Sequence, residues 1–178
     1  MSCNKFGLII FFVFVFNRVV KSDWINNYDN PVDFECHHTK TISYWRSIFN
    51  IGPRDRVFDL RCGFLEQTTA LNPSCYWTDY VNDWDEPFDF TCPNHGYING
   101  FRSVHDNYKE DRRMKFRCCN LPGMCVYNCQ RTSWVNDYGE EVLHTVPVAQ
   151  ILHGVKSRHD NQIEDRLWDF TTCYYMRC

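Results

Sequence analysis

Residues 23–62 can be laid over residues 79–118 at a constant offset of 56 without a gap, and 14 of the 40 positions are identical. The matches are Asp23, Asn26, Asp29, Pro31, Asp33, Phe34, Cys36, Ile42, Arg46, Ser47, Asp55, Arg56, Arg61 and Cys62. A shift of 54 carries the second copy onto a third. Tyr80-Val81-Asn82-Asp83 returns as Trp134-Val135-Asn136-Asp137, and Ser103-Val104-His105-Asp106-Asn107 as Ser157-Arg158-His159-Asp160-Asn161. Glu110-Asp111-Arg112 returns as Glu164-Asp165-Arg166. A chain with this period builds one unit of about 55 residues three times and buries each copy against the others. The copies run over about 23–62, 79–119 and 133–173.

Within a copy the pattern is that of short strands. Phe58, Leu60 and Cys62 alternate with Val57, Asp59 and Arg61, and Trp168, Phe170 and Thr172 alternate with Leu167, Asp169 and Thr171. Period two with one bulky face predicts half-buried strands. Residues 32–36 and 88–92 alternate in the same way, and the stretches between hold Asn, Asp, Gly and Pro, as turns require. No segment carries a sustained 3.6-residue apolar stripe. The expected fold is all-β, with three to four strands per copy, in one disulfide-rich domain of pseudo-threefold character. A closed arrangement of this kind would leave no exposed sheet edge.

The N-terminus bears on the compartment. Lys5 precedes the 11-residue apolar run Phe6–Phe16, and Val20 and Ser22 stand at −3 and −1 of a cleavage point. Residues 1–22 therefore read as a signal peptide, with a domain over 23–178; the run is too short for the roughly 20 residues that span a bilayer. Losing Lys5, Arg18 and Lys21 takes the formal net charge from −3 to −6, so no general attraction to nucleic acid or anionic membrane is expected. Cys3 leaves with the signal, and the other ten of the 11 cysteines are even in number, as a fully paired extracellular framework requires.

The Asp-Arg-x-aromatic-x-aromatic strand, the Asp-Trp-x-Asn-x-Tyr-Asp opening, the Phe-x-Cys-Pro box and the Cys118-Cys119 pair resemble the dermatopontin family. The wording of His105 to Arg113 and of Cys75-Tyr76-Trp77 is most similar to its invertebrate, haemagglutinin-like branch. The resemblance covers essentially all of residues 23–178. It implies a secreted, non-enzymatic protein of matrix or body fluid whose partners are collagen and proteoglycan or cell-surface glycans. It also implies the bridging: Cys36 with Cys62, Cys75 and Cys92 with Cys118 and Cys119 in either order, and Cys125 and Cys129 with Cys173 and Cys178. The copies are unequal. The first has Ser47-Ile48-Phe49-Asn50 where the others have Ser-x-His-Asp, Met114 replaces an aromatic in the second, and Val146 replaces the box cysteine in the third.

The candidate ligand-binding residues are His105, Asp106, Asn107 and Glu110, with their counterparts His159, Asp160, Asn161 and Glu164. Carboxylates and Asn accept from sugar hydroxyls, and an aromatic face such as Trp168 would cover the ring. The same oxygens would suit Ca²⁺, although the spacing is not that of an EF-hand. The structural alternative has Asp capping a turn and Arg bonding across the repeat interface. Asp55-Arg56 recurs with Asp111-Arg112 and Asp165-Arg166 even where the His-Asp-Asn triplet is missing, which favours a structural role for Asp-Arg. His37-His38 has no second ligand cluster at zinc spacing, so no metal and no cofactor are expected. Ser103 with His105, and Ser157 with His159, lack any supporting nucleophile motif, and an enzyme is not expected.

Overall fold

The computed structural model describes residues 24–65 and 72–178, so the expected signal peptide lies outside the described residues. Those residues form eleven strands and no helix. In chain order they are β1 (Val32–Glu35), β2 (Lys40–Asn50), β3 (Asp55–Phe64), β4 (Ser74–Trp77), β5 (Phe88–Thr91) and β6 (Tyr97–Asp106). They continue with β7 (Asp111–Asn120), β8 (Met124–Arg131), β9 (Val142–Thr145), β10 (Gln150–Asp160) and β11 (Asp165–Arg177).

Each sequence copy supplies one short strand and one long antiparallel hairpin: β2–β3, β6–β7 and β10–β11. The short strand does not join its own hairpin. β1 pairs with β6 of the second copy, β5 with β10 of the third, and β9 with β2 of the first. β4 and β8 add outer strands, giving sheets ordered β1-β6-β7-β4, β5-β10-β11-β8 and β3-β2-β9. Every hairpin carries a bulge at the same place, after Ile42, Ile98 and Leu152. Just past it, Gly100 and Gly154 let the incoming short strand approach. A Cβ on Gly100 would lie 3.0 Å from the Phe34 carbonyl oxygen, and one on Gly154 2.8 Å from that of Phe90.

Trp45, Phe58, Phe101, Phe116, Trp168 and Phe170 are fully enclosed and come from all three hairpins. Trp45 lies 4.7 Å from Phe101 and 5.5 Å from Trp168, ring centre to ring centre. Each such ring contributes about 1.5–3 kcal/mol by leaving water, so no copy completes its core alone. The alternation on β3 and β11 predicted half-buried strands, but Asp55–Leu60 and Asp165–Cys173 are buried on both faces. The loop before each hairpin covers the strand's edge. Asn26 accepts the Phe58 N–H and donates to the Arg56 carbonyl; Asn82 and Asn136 do the same to Met114 with Arg112 and to Trp168 with Arg166.

Among the described residues five disulfides form: Cys36–Cys62, Cys75–Cys119, Cys92–Cys118, Cys125–Cys178 and Cys129–Cys173. Cys36 and Cys92 follow short strands that have crossed to the next hairpin. Their bonds tie each crossed segment back to its own copy.

Candidate functional site

The recurring Asp-Arg pair opens the second strand of each hairpin and is buried in all three copies. Arg112 donates through Nε and Nη2 to Asp55 at 2.6 and 2.7 Å, and through Nη1 to Ser103 Oγ at 3.0 Å. Arg166 bonds Asp111 at the same distances, and Arg56 bonds Asp165. Each arginine thus meets the aspartate of the preceding copy, with the first copy's arginine meeting the third copy's aspartate. The other oxygen bond of each carboxylate comes from a backbone N–H, that of Asp29, Asp85 or Gly139. Burial opposes ionisation of Asp111, but the bonds and charge of Arg166 outweigh it and hold the carboxyl below the usual carboxylate range.

Against this framework the candidate turns sort into buried and exposed members. The imidazoles of His105 and His159 are each only 1% exposed. Their Nδ1 atoms bond Asn107 Oδ1 at 3.0 Å and Asn161 Oδ1 at 2.9 Å. Asp106 Oδ1 accepts the N–H groups of Tyr108 and Lys109, and Asp160 Oδ1 those of Gln162 and Ile163, so both aspartates cap their turns. Glu110 and Glu164 end the turns with φ of 49° and 61° and donate their N–H to the Asp106 and Asp160 carbonyls. Asn107 and Asn161 are exposed, and Glu110 and Glu164 half-buried. Trp168 is enclosed and cannot stack on a sugar, contrary to the sequence expectation; it faces the core from near the start of β11. Ser103 Oγ accepts from Arg112 and His105 Nδ1 bonds Asn107, so these two side chains are each engaged elsewhere.

Sequence reasoning missed Asp29 and Asp85. Asp29 Oδ1 lies 3.5 Å from His105 Nδ1, and Asp85 Oδ1 3.9 Å from His159 Nδ1. These partners come from neighbouring copies, and only the crossing of β1 and β5 brings them together. A trace existed in the repeat itself: where the first copy has Phe49 for His, the third copy has Gly139 for Asp.

The outward faces carry a different constellation. Trp24, Tyr80 and Trp134 occupy one repeat position, and each has a cation near its ring. Arg46 lies 5.0 Å from Trp24, Arg113 and Lys115 lie 4.3 and 4.6 Å from Tyr80, and Lys156 lies 5.5 Å from Trp134. Tyr80 and Trp134 are more than a third exposed.

Fold and site together define a disulfide-stapled all-β protein whose repeated charged residues act mainly as internal locks and whose aromatic-cationic residues face outward. The chain belongs to the dermatopontin family: the family model "Dermatopontin" matches residues 26–178. Similar proteins include a Limulus polyphemus hemagglutinin/amebocyte aggregation factor, 38% identical over the full length of both chains. A Biomphalaria glabrata dermatopontin is 33% identical over 84% of this chain and 99% of its own. A Sus scrofa dermatopontin is 28% identical over 84% and 83%. No solved structure matches.

Proposed function

We propose that the chain is a secreted, non-catalytic protein that agglutinates or adheres cells by binding glycans at repeated outward faces of a pseudo-threefold body. The observation that carries this reading is the recurrence of an aromatic ring beside a cation at residues 24, 80 and 134, exposed at 80 and 134 and half-buried at 24. An aromatic face covers the apolar side of a sugar ring, and the adjacent guanidinium or ammonium meets an acidic or hydroxyl oxygen. Three such stations on one chain would bridge cells by multivalency without any tight single contact. The three Asp–Arg bonds running from copy to copy support the threefold arrangement. In the candidate turns a ligand can reach Asn107, Glu110, Asn161 and Glu164, with His105 and His159 supporting the turns from beneath.

A matrix role, organising collagen fibrils or proteoglycan, is the second reading implied by the family. The higher identity to the agglutinin than to the pig dermatopontin, 38% against 28%, favours agglutination. A glycan array with a saturation assay on fibrillar collagen tests the choice. Glycan signal that a simple sugar competes away supports the proposal; saturable collagen binding with no glycan signal overturns it.

A further inference from the structure

Among the described residues two clusters, each with a buried inner aspartate and a more exposed outer one, remain that neither the core nor the outward faces explain. One nitrogen of His105 and one oxygen each of Asp29 and Asp55 lie within 4.8 Å of one another, and Asp85, Asp111 and His159 repeat the group. Asn107 and Asn161 present Oδ1 to Nδ1, and an amide oxygen only accepts, so Nδ1 carries a proton, and in the neutral ring Nε2 presents its lone pair. That Nε2 is buried and has no hydrogen-bond partner in either histidine. It faces a carboxylate oxygen instead, Asp55 Oδ1 at 3.8 Å from His105 and Asp111 Oδ1 at 3.8 Å from His159. Arg112 and Arg166 already donate to those oxygens, but neither reaches Nε2, and a buried lone pair left facing a carboxylate oxygen is unfavourable unless a proton or cation stands between them.

The geometry points to a pair of divalent transition-metal sites of zinc type, Asp29–Asp55–His105 and Asp85–Asp111–His159. A zinc ion held at about 2.0–2.2 Å by imidazole nitrogen and carboxylate oxygen keeps its donors about 3.3 Å apart. The two separations that involve Nε2, 3.8 Å to Asp55 Oδ1 and 3.8 Å to Asp111 Oδ1, need to close by only about half an ångström. A ligating histidine also typically donates its second N–H to an oxygen that fixes the ring. Asn107 and Asn161 fill that place. Imidazole with carboxylate selects a first-row transition ion over Ca²⁺ or Mg²⁺. The second site has Glu164 Oε2 at 3.7 Å from His159 Nε2 as a further donor, while Lys109 Nζ, 3.3 Å from Asp85 Oδ2, competes for that aspartate.

The third interface supplies the contrast. There Phe49 replaces the histidine, Ile51 the asparagine and Gly139 the outer aspartate, yet the Arg56–Asp165 bond remains. The interface lock therefore does not require the His–Asp–Asn group, and all three residues particular to the site are absent together. Asp29 and Asp85 moreover adopt φ of 64° and 66°, the left-handed region that glycine takes at 139 with φ of 82°. Glycine therefore fits the backbone at 29 and 85 without strain.

The test uses the mature chain with its disulfides intact, stripped with chelator and titrated with ZnCl₂ by calorimetry near neutral pH. A His37→Gln/His38→Gln background removes the exposed histidine pair. Two ions per chain are expected, one in His105→Phe, one in His159→Phe and none in the double variant. Asp29→Gly and Asp85→Gly, which copy the third interface and suit the backbone there, should likewise remove one ion each if a phenylalanine variant fails to fold. Absence of binding, or a stoichiometry that none of these variants changes, overturns the assignment. So does protonation alone, seen as histidine NMR shifts that follow pH and ignore zinc.

Discussion

Replacing His144 with phenylalanine should remove an acid-labile group from the core. His144 sits on β9 at the repeat position held by Phe34 and Phe90. Its ring stacks on Phe170 at 4.5 Å, as Phe90 stacks on Phe116 at 5.1 Å, so phenylalanine fits the place. Burial alone pushes its pKa from the ordinary 6.5 down to about 4, and its Nε2 has no hydrogen-bond partner. Between those two values the unfolded chain binds a proton that the folded chain refuses. Stability is therefore full above pH 6.5 and is lost as pH falls toward 4. At about 1.4 kcal/mol per pH unit, the loss attributable to this residue is about 2.5 kcal/mol by pH 4.5. Guanidinium unfolding of both proteins under non-reducing conditions, at pH 7.5 and pH 4.5, measures it. His153 and Asp169 titrate in both proteins, so the difference between them isolates His144. Equal pH dependence in wild type and His144→Phe would refute the reasoning.

Arg112→Met leaves Asp55 buried without its partner and should cost about 3–5 kcal/mol in the same unfolding assay, whereas Arg112→Met with Asp55→Leu should cost less. Gly100→Ala places a methyl 2.9 Å from the Trp77 ring and 3.0 Å from the Phe34 carbonyl oxygen, and should destabilise by about 1–3 kcal/mol, read as a lowered denaturant midpoint. Non-reducing peptide mapping should recover Cys75–Cys119 and Cys92–Cys118; a Cys75–Cys118 peptide would contradict the register of β4 on β7. Removing Cys36–Cys62 by paired serine substitution should cost about 3–4 kcal/mol in the chain-entropy account.

Much of this architecture was legible in the residues. Period-two alternation at 57–62 and 167–172 located the long strands, and the recurrence of Asp55-Arg56 in the copy lacking the histidine triplet pointed to an interface role. The crossing of β1, β5 and β9 onto neighbouring hairpins was not legible, because alternation within a strand says nothing of which strand lies beside it. Two consequences followed. Asp59 and Val57 are buried although alternation put them on the open face, since covering segments arrive from elsewhere in the chain. His105 and His159, polar residues in an apparent surface turn, are covered in the same way, and their aspartate partners come from a different copy.

The most direct test of the central claim is red-cell agglutination by residues 23–178, with Trp24, Tyr80 and Trp134 replaced by alanine singly, in pairs and together. Bridging requires at least two working stations on one particle. The account predicts that single variants still agglutinate, that pair variants bind cells without clumping them, and that the triple variant does neither while keeping its five disulfides. Undiminished agglutination by a folded triple variant would contradict it.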